Sequence, residues 1–113
     1  MPVIMKEADS SQLRPVPPGA AEIIRTLRTH LPELQRRYNI TYLGVFGSYI
    51  RGEQKKKSDL DVLVEFDSPP TLFEFMAIEQ QLSELTGIKV DLVMKKVLKP
   101  NIGRYILAEV VPI

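Results

Sequence analysis

The chain contains no cysteine, which excludes a disulfide scaffold and any thiolate metal site. Its single histidine, His30, rules out a zinc site built on imidazoles. No apolar run approaches membrane length. The first residues, MPVIMKEADSSQLRP, lack the apolar core of a signal peptide, so the expected compartment is the cytoplasm. A charge excess of one sign is also missing. Fifteen Lys and Arg face fourteen Asp and Glu, for a net charge of +1. That balance gives no ground for direct nucleic-acid binding.

What is present suits one domain with one modest core: 113 residues, 44% hydrophobic and 26% charged. Residues 1–17 carry three of the nine prolines and read as a flexible N-terminal arm, leaving residues 18–113 as the folded domain. From Pro18 onward, Ala20, Ile23, Ile24, Leu27, Leu31, Leu34 and Tyr38 recur at helical spacing. Pro32 should split that helix into two pieces, and Asn39 should stop it. ITYLGVF (40–46) reads as a strand. It runs into Gly47-Ser48, where Ser48 is suited to cap a short helix ended by Gly52. DLDVLVEF (59–66) is a second strand, and TLFEFMAIEQQLSELTG a helix with Leu72, Phe75, Ile78, Leu82 and Leu85 as its buried stripe. IKVDLVM (88–94) is a third strand. A short helix around 101–109 and a short strand follow. The order predicts an α/β (α+β) domain, with helices packed mainly on one face of a small mixed sheet.

The strand carboxylates stand out. Side chains alternate across a strand, so Leu60, Val62, Val64 and Phe66 point to the core while Asp59 and Asp61 point away from it. Asp91 does the same in the third strand. Aspartate is depleted in strands, and like charges about 4 Å apart repel by about 1 kcal/mol in water and about 4 kcal/mol at surface-type dielectric. If the strands are neighbours, three carboxylates meet on one open face. That set suits a hard divalent ion, Mg²⁺ above all, and with it a phosphate-bearing substrate. The Gly47-Ser48 corner fits phosphate too. Gly47 permits close backbone approach, and the Ser48 hydroxyl can bond a phosphate oxygen. Ser58, just before Asp59, is suited to bond local backbone and support the site.

These residues carry a resemblance. Gly47-Ser48, Arg51-Gly52, Ser58-Asp59-Leu60-Asp61 and the later Asp91 in VDLV are similar to the signature of the minimal nucleotidyltransferases, the MNT group of the polymerase-beta-type superfamily. The likeness runs from about residue 20 onward. Tyr49-Ile50 replaces the small residues often found between Ser and Arg in that group. The resemblance implies a polymerase-beta-like nucleotidyltransferase fold and transfer of a nucleoside monophosphate, AMP from ATP, to an acceptor hydroxyl. Asp59, Asp61 and Asp91 would be the catalytic and metal-binding residues, with two Mg²⁺ ions. Gly47, Ser48 and Arg51 would be the nucleotide-binding residues, Arg51 leaning toward a brace. With no room for an acceptor domain, another protein is expected to complete the site. Proteins of this group and size resemble the antitoxin half of HEPN–MNT toxin–antitoxin pairs, which modify a toxin tyrosine with AMP, so the implied partner is a HEPN-type toxin. Two alternatives stay open: a non-catalytic module that blocks its partner sterically, and a nucleotidyltransferase acting on a small molecule. Other residues read as structural. Lys55–Lys57 form a solvated loop, Tyr49 packs, and Glu65 lies too far along its strand to be a ligand. Arg104 and Tyr105 are each suited to touch nucleotide or partner.

Overall fold

The structure is a computed structural model that describes residues 16–113. Helix α1 spans Pro18–Tyr38, strand β1 Ile40–Phe46, the one-turn helix α2 Ser48–Arg51, and β2 Leu60–Phe66. Helix α3 (Leu72–Thr86), β3 (Val90–Met94), a 3₁₀ turn at Lys95–Val97, α4 (Pro100–Glu109) and β4 (Val111–Pro112) complete the order. The sheet order is β3-β2-β1-β4. β1 runs antiparallel to both β2 and β4, whereas β2 and β3 are parallel and joined through α3. The architecture is the expected mixed α/β domain.

The main core lies between the sheet and the two long helices. Leu27 and Leu34 of α1 and Ile78 and Leu82 of α3 pack on Val45, Leu60, Val62, Val64 and Val90. Each of these leucines and Ile78 is at most 1% exposed, and burying a side chain of this size contributes about 1.5–3 kcal/mol. That stripe explains why Pro32 does not split α1, contrary to the sequence expectation. The helix is continuous from Pro18 to Tyr38 with Pro32 inside it. Leu27 before the proline and Leu34 after it fill one core, and their burial outweighs the roughly 3 kcal/mol cost of an interior proline. Asn39 does end the helix, in the left-handed conformation at φ 59°.

Two further expectations shift. Leu72 is 70% exposed rather than part of the buried stripe of α3. It is the first residue of the helix, inside the Thr71–Glu74 capping box, and packing on the core begins a turn later at Phe75. The second and third strands also start late, at Leu60 and Val90. Val16 and Pro17, the end of the proposed arm, pack onto the domain: Val16 sits against Ala20, Ile24 and Val111. The rest of that arm lies outside the described residues.

Both sheet edges are tied to helices. On β3, the N–H of Val90 donates to Ser83 Oγ at 3.0 Å and that of Leu92 to Glu79 Oε2 at 2.9 Å, both from α3. At the β4 edge, Arg28 of α1 donates to the carbonyls of Pro112 at 3.1 Å and Ile113 at 3.4 Å.

The opposite sheet face carries a smaller cluster. Phe46, Leu63 and Val110 are buried there, with Tyr42, Val93, Leu98 and Ile106 packed around them. Helix α4 crosses only this part, and the ends of β2 and β3 that hold the aspartates lie beside it.

Candidate active site

The candidate site forms where β1 ends. Gly47 adopts φ 86°, ψ −154°, a conformation that L side chains rarely take. A second constraint acts on the same atom: a Cβ placed on Gly47 would collide with the Asp61 carboxylate. Glycine is therefore required twice over, by the backbone and by the close approach of Asp61. Because Gly47 turns the chain, it occupies the cap position and Ser48 becomes the first helical residue. This moves the expected Ser48 cap by one position. Ser48 Oγ then forms no hydrogen bond among the described residues. Gly52 ends the turn at φ 72°, as expected.

The register explains how distant aspartates meet. Phe46 of β1 pairs with Asp61 of β2, and Asp61 pairs with Asp91 of β3. Neighbouring strands lie about 4.8 Å apart, so Asp61 stands between the glycine corner and Asp91. Asp59 lies one residue before β2 and is placed by its loop rather than by strand alternation. Ser58 closes that loop reciprocally. Its Oγ accepts from Lys55 N–H at 2.8 Å, and its own N–H donates to the Lys55 carbonyl at 3.0 Å. The expected local support from Ser58 is thus present. Leu60 N–H donates to the Lys89 carbonyl at 2.8 Å, which locks the start of β2 onto β3.

Asp61 is electrostatically strained. Burial pushes its pKa above the ordinary carboxylate range, Asp91 and Asp59 push it further, and Arg51 partly offsets them. Among the described residues, no group of three or more His, Asp or Glu side chains is gathered closely enough to hold a metal by itself. The donor set nevertheless fits a cation such as Mg²⁺. Its atoms are all carboxylate oxygens, and the like charges around Asp61 are those a cation would relieve. Mg²⁺ ordinarily takes one or two carboxylates and completes its shell with water and phosphate.

Arg51 is engaged through two of its three guanidinium nitrogens. Its Nε donates to Glu53 Oε1 at 2.9 Å, and its Nη1 donates to both Glu109 oxygens at 2.9 and 3.1 Å. These bonds, to Glu53 first and Glu109 second, hold the guanidinium above even its usual high range. Glu109 Oε2 also accepts the Gly47 N–H at 2.6 Å. Sequence reasoning missed Glu109 altogether, because its partners are 58 and 62 residues away. Its position just before β4, the strand that pairs with β1 at Gly44 and Val45, was the available signal.

A cleft of about 330 Å³ opens at this corner. It is lined by Gly47, Arg51 and Asp61 and, from α4, by Ile102, Tyr105, Ile106 and Glu109. Of the two α4 residues left open by the sequence, Tyr105 belongs to this cleft. Arg104 instead donates to Asn101 at 3.3 Å. Glu65 stands apart, 3.5 Å from Lys95. Tyr49 packs against the main core, and Lys55–Lys57 are exposed.

A glycine corner, an unbonded hydroxyl and facing carboxylates can bind phosphate and a cation together. The kinship of the chain agrees with that chemistry. Residues 27–112 match the model of the nucleotidyltransferase domain family. The protein adenylyltransferase MntA of Thermococcus cleftensis is 48% identical over 90 residues, covering 80% of this chain and 91% of that protein. A solved structure described as a minimal nucleotidyltransferase matches with a TM-score of 0.69 at 35% identity, over 81% of this chain and 94% of that one. A chain from the complex of a tri-AMPylated Shewanella oneidensis HEPN toxin with an MNT antitoxin matches with a TM-score of 0.53, over 90% of this chain and 70% of that one. At 20% identity, that last likeness speaks for the fold alone. The chain belongs to the nucleotidyltransferase domain family, in its minimal group, and is a nucleotidyltransferase.

Proposed function

We propose that this enzyme transfers AMP from ATP to a hydroxyl on a partner protein, a HEPN-type toxin, and so acts as the antitoxin of a pair. The observation that carries the chemistry is the contact of Asp61 with the Gly47 corner, with Asp91 in register beside it. The adenylyl group and the protein acceptor rest on the 48% identical protein adenylyltransferase. The toxin partner rests on the fold shared with the HEPN–MNT complex.

In this reading, Gly47 admits the phosphates close to the backbone and Ser48 donates to an outer phosphate oxygen. Asp59, Asp61 and Asp91 are the carboxylates that would hold Mg²⁺, with water and phosphate oxygens completing its shell. When bound, that ion neutralises phosphate charge and makes the acceptor oxygen more nucleophilic. Asp91 is exposed at the mouth of the site and is suited to take the acceptor proton. Arg51 braces the corner. Catalysis then rests on positioning and charge, with no covalent intermediate on the enzyme.

The test is the intact mass of a co-expressed HEPN partner after incubation with the enzyme, Mg²⁺ and ATP. The expected result is a gain of one or more AMP units. The Asp59→Ala/Asp61→Ala double variant should give none and should fail to silence the partner. Silencing of an unmodified partner by that variant would show a steric blocker instead. Labelling of a small hydroxylated acceptor without any partner would show a small-molecule enzyme.

A further inference from the structure

The Gly47 corner is held by a carboxylate outside the signature. Glu109 ends α4, where a negative charge meets the negative end of the helix dipole, an unfavourable place. Its bonds compensate for that placement. Glu109 takes the Gly47 N–H at 2.6 Å and the Arg51 guanidinium at 2.9 and 3.1 Å. The remaining Arg51 contact goes to Glu53. Gly47, Arg51, Glu109 and Asp61 line one cleft. The Gly47 N–H and the guanidinium are strong donors to any anion entering that cleft, and one internal carboxylate already occupies the Gly47 N–H and Arg51 Nη1.

We propose that Glu109 is a positioning residue that reserves Arg51 and the Gly47 N–H for bracing the corner and keeps both off the phosphates of the nucleotide. This rests on the functional reading above, in which phosphates enter this cleft. The arrangement has a kinetic logic. A guanidinium that gripped the phosphates equally in ground and transition states would tighten binding without speeding the transfer. Paired with Glu109, Arg51 instead holds the turn against the end of α4 and leaves phosphate binding to Ser48 and the cation the carboxylates would hold.

The proposal predicts a sign that a merely structural residue would not produce. Binding of inorganic tripolyphosphate with Mg²⁺ would be measured by calorimetry on the full chain. The variants are Arg51→Ala, Glu109→Gln, Glu109→Ala and the double Arg51→Ala/Glu109→Ala, with the thermal midpoint of each recorded. Glu109→Ala frees two donors and should tighten binding about tenfold, the scale of one charge-assisted hydrogen bond. Glu109→Gln keeps an acceptor for the Gly47 N–H and should show a smaller gain in the same direction. It also stands in for the alanine variant should that fail to fold. The double variant should lose most of the gain. Arg51→Ala alone leaves the Glu109 charge unpaired in the cleft, so the double variant, and not this single one, reads the contribution of the guanidinium. A double variant that binds tenfold more weakly than wild type would make Arg51 a direct phosphate ligand and overturn the proposal. Unchanged or weaker binding in both Glu109 variants would overturn it as well. If neither the wild type nor any variant bound tripolyphosphate, the phosphate site itself would be wrong, and this inference would fall with it.

Discussion

The two faces of the sheet are built to different rules. On the face covered by α1 and α3, leucine, isoleucine and valine interlock, with Leu27, Leu60, Val62, Ile78 and Leu82 at 0% exposure. No polar side chain among the described residues is buried there or elsewhere. On the other face, Leu63 is equally buried, yet its neighbour two residues back, Asp61, is a carboxylate pressed against a glycine and opposed by three like charges, Asp91, Asp59 and Glu109. One strand, β2, serves both. The covered face is where most of the folding energy is gained. The open face holds groups that work against folding and are kept in place by that gain.

The sharpest way to break the comparison is Gly47→Ala. The change forces a side chain into a positive-φ position and against Asp61. It should lower the transfer rate by about 1000-fold, roughly 4 kcal/mol in the barrier, with the main core intact. Near-wild-type turnover of this variant would show that the corner does not set the site. The mirror experiment is Leu82→Ala on the covered face. It should cost about 3 kcal/mol in urea unfolding, within the range for buried leucines, while the folded fraction keeps its nucleotide KM. A changed KM would mean that the two faces are coupled more tightly than their separate clusters imply.

The smallest effect tests the sign of the strain. Folding raises the pKa of Asp61, so the folded state holds this proton more readily than the unfolded state. Ionised Asp61 therefore costs stability at neutral pH, and the cost is relieved as pH falls through the raised folded value. Asp61→Asn should raise the thermal midpoint by a few degrees at pH 7. That advantage should shrink as pH falls toward about 4, where an ordinary Asp gains its proton. A lowered midpoint at pH 7 would contradict the strained state of this carboxylate.

Where the sequence could be read, the cause was local. β1, β2 and β3 were legible from short β-branched runs, and the stops at Asn39 and Gly52 from residues that tolerate left-handed backbone. The motif at Gly47, Ser48, Asp59 and Asp61 was legible because its members are close in the chain. Pro32 misled because propensity is local whereas Leu27 and Leu34 act through the tertiary core. The Ser48 cap was off by one because capping preference favours serine, while the conformation at this corner demands glycine. Alternation alone put Asp59 in a strand that begins only at Leu60. Glu109 was invisible for a topological reason: β4 pairs with β1, and only that pairing carries the end of α4 to the Gly47 corner.

The sheet edges have a consequence for how this molecule can be met by others. Exposed strand edges invite further strands, whether from a peptide ligand or from an aggregating copy. Here Glu79 and Ser83 have claimed N–H groups along β3, and Arg28 has claimed the carbonyls at the end of the two-residue β4 and just past it. The backbone offers little for a visitor to copy. Recognition must pass through side chains, which differ from one protein to the next, and strand-by-strand growth into a fibril is disfavoured by the same contacts.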